Sequence, residues 1–311
     1  MKIKQNELFD EEALTVICKI FQVNTEDITD ITVLKKGMTN RSFTFRCNGK
    51  RYIIRISGAG TDKLIDRYQE KKVYETIRYM NICDPVVYIN PEKGYKITEF
   101  LENSRVCDPM NRLDVKRSME CLKKFHDKKL VVGHEFDLFE QIEKYEVLWG
   151  NSESIYEDYE KTKSEVYSLK AFIDGHITEK VLAHIDAVPD NFLFVKDQQG
   201  KEEIRLIDWE YAGMQDPHVD IAMFGIYSLY DREHMDQLID AYFTEGCSRE
   251  TRIKIYCYIA AGGLLWSNWC EYKEKLGICF GEYATQQYQY AKEYSHIAQL
   301  ELRKMEKTLH A

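Results

Sequence analysis

No stretch of the 311-residue chain has the length and apolarity needed to span a bilayer, and the opening MKIKQNELFDEE lacks the apolar run of a secretory signal. The expectation is a cytoplasmic protein with no membrane partner. Excess positive charge is missing too, since 43 lysines and arginines stand against 52 acids for a net charge of −9. That balance gives no sign of nucleic-acid binding and suits a protein that attracts a cation. The nine cysteines contain no C-x-x-C pair, and an odd, scattered set argues for free thiols in a reducing compartment. Internal repeats and low-complexity linkers are also absent. What is present is 44% hydrophobic and 13% aromatic, enough for a core in one large domain or two lobes.

The first hundred residues change period twice. Asp10 is placed to cap a helix whose Leu14, Ile17, Ile20 and Phe21 share a face. From 29 to 56 the apolar residues alternate instead (Ile31 and Val33, Phe43 and Phe45, then Tyr52 to Ile56), with Asn48-Gly49 as a hairpin turn. Three antiparallel strands are expected. Between the first two lies Gly37-Met38-Thr39-Asn40-Arg41-Ser42, a glycine followed by small polar residues whose N–H and hydroxyl donors can curl over phosphates. A helix from Thr61 to Met80, capped by Thr61 or Asp62, packs through Leu64, Ile65, Tyr68, Val73, Tyr74 and Ile77. Residues 86–101 read as a hairpin turning at Pro91 to Gly94.

Beyond 102 the pattern is mostly helical, with a helix start near Pro109 and further helices at about 137–149 and 152–172. Within this part the stretch 184–211, HIDAVPDNFLFVKDQQGKEEIRLIDWEY, organises the rest. Asp186 and Asn191 lie five apart on a loop held by Pro189, and Asp208 follows 208 − 186 = 22 residues later at the end of the apolar run Ile204, Leu206, Ile207. A hairpin (Phe192 to Val195, then Ile204 to Ile207) would bring them to one site. Two carboxylates and an amide suit phosphoryl transfer: one carboxylate orients and deprotonates a hydroxyl, while the amide oxygen and the other carboxylate hold Mg²⁺ on nucleotide phosphates.

These segments, His184-x-Asp186-x-x-Pro189-x-Asn191 and Leu206 to Asp220 (LIDWEYAGMQDPHVD), resemble the choline/ethanolamine kinase and aminoglycoside phosphotransferase superfamily, and most closely its bacterial choline kinases. The resemblance implies an α+β, protein-kinase-like two-lobed fold. An antiparallel sheet with one main helix would form a nucleotide-binding lobe over 1–101, and a mostly helical lobe over 102–311 would bind the acceptor. It implies ATP and Mg²⁺ as cofactors, Asp186 as the base, and Asn191 and Asp208 as metal ligands. Gly37, Thr39 and Asn40 would cover the phosphates, and Arg55 would grip them, held by Glu70; Asp66 and Glu75 compete for that place. The main chain of Glu99 and Leu101 would meet the adenine edge. His126 is assigned no chemistry, and Asp220 would brace the catalytic loop.

For the acceptor, the informative residues are Trp266 and Trp269 in YIAAGGLLWSNWCEY, three apart and so on one helix face. The small residues Ala260 to Gly263 would let that helix approach the catalytic loop. Facing indoles suit a quaternary ammonium, with about 0.5–2 kcal/mol per desolvated cation–aromatic contact. Choline kinases carry a W-x-x-W here, so choline is the expected substrate. Tyr227 stands where eukaryotic relatives place a glutamate and is a further candidate for the cation; Glu210 could face the cation or help a second metal, and Tyr230, Tyr283 and Tyr288 are additional walls. Ethanolamine, an aminoglycoside or another amino alcohol is the alternative acceptor, and a nucleotide- or choline-binding pseudokinase is the alternative class. Monomer and homodimer are both open.

Overall fold

The computed structural model describes residues 11–36, 40–58, 60–150, 153–197 and 199–309. The chain divides into two compact units, Met1–Arg105 with Phe194–Glu210, and Val106–Leu193 with Tyr211–Ala311. Asp10, Gly37 and Thr39 lie outside the described residues.

The first unit contains α1 (Glu11–Phe21), β1 (Thr29–Lys36), β2 (Asn40–Cys47), β3 (Lys50–Ser57), α2 (Arg67–Ile77), β4 (Val86–Asn90) and β5 (Tyr95–Glu99). The five strands form one antiparallel sheet in the order β1-β2-β3-β5-β4. Asn48 and Gly49 turn the β2–β3 hairpin with φ of 49° and 76°. Paired positive values are what the twist-matched two-residue turn demands, and they explain the Asn-Gly choice. The core joins Ala13 and Ile17 of α1 to Phe43, Phe45, Ile54 and Ile97 of the sheet. Helix α1 is therefore rotated from the expected face, with Leu14 and Phe21 only partly buried at the margin of the cluster.

The Thr61–Met80 helix is shorter than its apolar spacing suggested. Thr61–Lys63 is a separate 3₁₀ turn, and α2 begins only after Asp66, whose side chain accepts hydrogen bonds from the Tyr68 and Gln69 amides. An aspartate that satisfies two orphan first-turn donors outcompetes the earlier cap candidates. Tyr68 consequently points outward, 59% exposed.

The chain continues through β6 (Ser104–Val106), α3 (Arg112–His126), α4 (Leu138–Trp149), α5 (Tyr159–Tyr167), α6 (Lys170–His176) and β7 (Val181–Ala183). Then come β8 (Phe192–Lys196), β9 (Glu202–Leu206), β10 (Gly213–Gln215), α7 (Val219–Tyr227), α8 (Arg232–Tyr242), α9 (Arg249–Lys275) and α10 (Glu282–Leu309). Strands β6, β8 and β9 form a sheet in the order β6-β8-β9, and β7 pairs antiparallel with β10. The helix expected over 152–172 is two helices; at their junction the Ser168 hydroxyl bonds the Glu165 carbonyl at 2.6 Å, a local bond that competes with the helical ladder.

The small residues of α9 serve a different purpose from the one expected. A Cβ on Gly263 would lie 2.6 Å from the Gln287 carbonyl oxygen of α10, and one on Gly262 would press on Ile226 and Met223 of α7. These two glycines seat α9 against α10 and α7, where the expectation was the loop bearing Asp186. Among the described residues no helix is long and apolar enough to cross a membrane. A five-stranded antiparallel sheet with α1 and α2 in the first unit, and mostly helix in the second, is the α+β protein-kinase-like fold.

Candidate active site

In the first unit, Arg55 of β3 pairs directly across from Lys96 of β5. Two cations side by side on a sheet repel unless an anion lies between them. Glu70 of α2 is that anion, with Oε2 2.6 Å from Arg55 Nη2 and Oε1 3.3 Å from Lys96 Nζ. Arg67, one helical turn earlier, donates to the same Oε2 at 2.9 Å. Of the competing carboxylates, Asp66 is the cap and Glu75 is an exposed partner of Lys72, so neither reaches Arg55.

Glu210 completes the cluster by accepting hydrogen bonds from Arg55 Nη1 at 3.1 Å, Arg67 Nη1 at 2.8 Å and Asn40 Nδ2 at 2.8 Å. Asn40 Oδ1 in turn accepts from Arg67 Nη2 at 2.9 Å. The Asn40 side chain is thus built into the ion-pair network. Burial opposes the Arg55 charge, but Glu70, then Glu210 and Asp208, outweigh it and raise its pKa. Burial likewise works to raise Glu70; Arg55 and then Lys96 overcome it and hold that carboxyl well below the usual range. Glu210 goes the other way, raised by burial and by the Asp208 charge against the pull of Arg55 and Arg67.

Asp208 is the member of this cluster that faces outward. Its side chain is 36% exposed, against 1% for Glu70 and 3% for Glu210, and its Oδ1 lies 3.4 Å from Arg55 Nη1 and 3.7 Å from Lys96 Nζ. Its φ of 64° is left-handed, a conformation that costs an L-residue about 1–2 kcal/mol and recurs where function demands it. One oxygen each from Glu70, Asp208 and Glu210 lie within 4.8 Å of one another. Hard carboxylate oxygens of this kind fit a divalent cation, with Asp208 the accessible ligand because it alone of the three is partly exposed and Arg55 reaches its Oδ1 only at 3.4 Å.

In the second unit, β7 runs into the loop that carries Asp186 and Asn191. Asp220, in the first turn of α7, accepts hydrogen bonds from the His184 amide at 2.8 Å and the Ile185 amide at 2.7 Å. Ile185 has φ of 68°, an outlier for a β-branched residue, and these bonds hold it one position before Asp186. His126 is a brace in the same assembly, its Nε2 2.9 Å from Asp220 Oδ2 and its Nδ1 2.9 Å from the Tyr242 hydroxyl. Pro189–Asn191 forms a 3₁₀ turn, and Asn191 Nδ2 donates to the Asp186 carbonyl at 2.8 Å and to Asp186 Oδ2 at 3.1 Å. Asn191 Oδ1 is therefore the end turned away from Asp186.

A run of rings belongs to the same unit. Trp266 and Trp269 meet edge to face with centroids 6.1 Å apart, Trp266 lies 5.5 Å from Tyr211, and Trp269 lies 5.0 Å from Phe280. Phe280 continues to Tyr283 at 6.5 Å, and Tyr283 to Tyr227 at 6.0 Å. Tyr227 closes the run on the loop that carries Asp186 and Asn191, donating its hydroxyl to Asp190 Oδ2 at 3.2 Å. Burial raises the phenol pKa of Tyr227, with the Asp190 and Asp186 charges adding to it; Asp186 contributes at Tyr283 as well. Trp266 Nε1 is 3.1 Å from Met223 Sδ, whereas the N–H of Trp269, a residue 4% exposed, has no acceptor among the described residues.

The structure thus brings Arg55, Glu70, Asn40, Asp208 and Glu210 together in one unit, and Asp186, Asn191, Tyr227, Trp266 and Trp269 together in the other. Glu210, expected to face the acceptor cation or help a second metal, is hydrogen-bonded to two arginines, with an oxygen within 4.8 Å of one each from Glu70 and Asp208. Tyr230 and Tyr288 are not part of the ring run: the Tyr230 hydroxyl bonds the Pro109 carbonyl, and Tyr288 stacks on Tyr156 at 3.7 Å. The Glu99 amide is spent on the Pro85 carbonyl at 2.9 Å, and the Leu101 carbonyl accepts from the Ser104 hydroxyl at 2.7 Å. Sequence reasoning missed Lys96, Arg67 and Phe280. Lys96 was within reach, because the β3–β5 register sets it opposite Arg55; Phe280 sits in the α9–α10 connection, where no period marks it.

A sequence model of choline/ethanolamine kinase matches residues 31–241. The protein LicA of Haemophilus influenzae strain Rd is 27% identical over 263 residues, covering 79% of this chain and 94% of that protein. Choline kinase LicA from Streptococcus pneumoniae superposes with a TM-score of 0.78 at 28% identity, over 92% of this chain and 99% of that one. A LicA structure in complex with AMP gives 0.78 at 29% identity, over 93% and 98%.

Proposed function

Because the chain belongs to the choline/ethanolamine kinase family, and so is a small-molecule phosphotransferase, we propose that it transfers the terminal phosphoryl group of ATP to the hydroxyl of choline. The observation that carries the choice of acceptor is the edge-to-face pair Trp266 and Trp269, in a ring run that ends on the loop bearing Asp186. Aromatic faces satisfy a permanently charged ammonium, which has no N–H to donate, whereas the many N–H donors of a polyamine sugar need acceptors that rings do not supply. The pneumococcal relative of the same fold is a choline kinase, which supports the same acceptor.

In this reading Asp186 accepts the hydroxyl proton as that oxygen attacks the terminal phosphorus, the bond to the bridging oxygen breaks, and ADP departs. Asp208 would hold Mg²⁺, which when bound neutralises charge on the phosphate oxygens, and Asn191, through Oδ1, is the other candidate ligand. Arg55, fixed by Glu70, contributes a guanidinium for the nucleotide phosphates. Gly37 and Thr39 would close over the phosphates, and the Leu101 segment would meet the adenine. The AMP bound in a related structure supports a nucleotide site.

A coupled assay of ADP release with choline, ethanolamine and kanamycin tests this. Choline should give the highest kcat/KM; a higher value for either other acceptor overturns the choice of substrate, and no turnover on any amino alcohol revives a non-catalytic role. Trp266→Ala should raise the KM for choline at least tenfold, about 1.4 kcal/mol, while changing that for ATP by less than threefold.

A further inference from the structure

A quaternary ammonium keeps its charge throughout phosphoryl transfer, whereas a carboxylate acting as base loses its own as it takes the hydroxyl proton. The aromatic faces stabilise the cation but bring no net negative charge. A second anion beside the rings would keep the acceptor balanced through the reaction. We propose that Asp190 is that anion, a specificity-determining residue for the acceptor's positive charge, and that Tyr227 positions it; the inference rests on the reading of this protein as a kinase of a cationic alcohol.

Asp190 is the middle residue of the Pro189–Asn191 turn, with Asp186 four positions before it and Asn191 immediately after. The turn is fixed at both ends, by the Asn191 amide on the Val188 carbonyl at 2.9 Å and the Phe192 amide on the Pro189 carbonyl. The carboxylate is half-buried, and its Oδ2 takes the Tyr227 hydroxyl at 3.2 Å. Tyr227 lies in the last turn of α7, its ring 6.0 Å from Tyr283, and through Phe280 the run reaches Trp269. A carboxylate is thereby tied to one end of the aromatic wall by a residue of the wall itself.

The test compares choline with 3,3-dimethylbutan-1-ol, which has the same shape with carbon in place of the charged nitrogen. The full chain and its Asp190→Asn, Asp190→Glu and Tyr227→Phe variants are assayed for kcat/KM on both alcohols. Asp190→Asn should lower the ratio of choline to the neutral alcohol by about tenfold or more, Asp190→Glu should restore most of it, and Tyr227→Phe should lower it to a lesser degree. An unchanged ratio in Asp190→Asn, or an equal fall for both alcohols, overturns the inference while the functional reading stands. Absence of choline turnover in the unsubstituted chain removes that reading and this inference with it. If Asp190→Asn does not fold, the ratio in Tyr227→Phe decides: a selective fall for choline supports charge recognition, and an unchanged ratio overturns it.

Discussion

Helix α2 and its N-cap carry three carboxylates in three environments, and substituting each in turn probes the ion-pair cluster. Glu70 is 1% exposed and holds Arg55, Arg67 and Lys96; Glu75 is 40% exposed and faces Lys72 and Lys71; Asp66 caps the helix. Glu70→Gln keeps the shape but removes the anion between two cross-strand cations, leaving buried charge uncompensated. Breaking a buried pair in this way costs about 3–5 kcal/mol. Glu75→Gln removes an exposed pair whose worth is about 0.5 kcal/mol or less. Asp66→Ala loses a cap, about 1 kcal/mol. Urea unfolding followed by circular dichroism, with midpoints compared at constant slope, should rank the losses Glu70, then Asp66, then Glu75. Lys96→Met introduced into Glu70→Gln should recover at least about 1 kcal/mol, because it removes one of the stranded cations. A Glu70→Gln variant within about 1 kcal/mol of the parent, or a Glu75→Gln loss of equal size, would refute the idea that the sheet is held together here by an anion between Arg55 and Lys96.

Three other outcomes follow from the packing and hydrogen bonds. Asp220→Asn replaces an acceptor of two loop amides by an amide with one oxygen; kcat should fall about a hundredfold with KM for ATP little changed, measured by steady-state kinetics. Gly263→Ala forces a methyl into backbone atoms of α10 at 2.6 and 2.8 Å, and should cost about 1–3 kcal/mol in thermal or urea unfolding. Burial holds His218 at about 4, below the ordinary 6.5, with Asp216 opposing. The unfolded imidazole takes up a proton below pH 6.5 that the folded one refuses until about 4. Stability therefore falls as pH falls through that window, by about 3 kcal/mol at most, and His218→Gln should flatten that part of the curve.

Much of the architecture is legible because it is written locally. Asn48-Gly49 can only be a tight turn of one hand, and the alternation around it fixes β2 and β3 without help from the rest of the chain. The loop from His184 to Asn191 and the strand before Asp208 are equally local, since Pro189 and the apolar run Ile204 to Ile207 mark them within a few residues. Trp266 and Trp269 share a face because helices repeat every 3.6 residues. The helix bearing Glu70 was visible as well, though its start depended on which of several polar residues won the cap.

What the linear chain by itself determined is therefore the identity of the elements and the set of chemically able side chains. Tertiary structure alone decided their partners: Glu70 and not Glu75 for Arg55, Lys96 across the sheet from it, and Glu210 with the arginines. It alone brought Phe280 into the ring run and turned Gly262 and Gly263 toward α7 and α10. The reason is physical. Turns, caps and periodicities are set by neighbours within a few residues, whereas which buried charge meets which is set by register and helix rotation, through contacts between residues far apart in sequence.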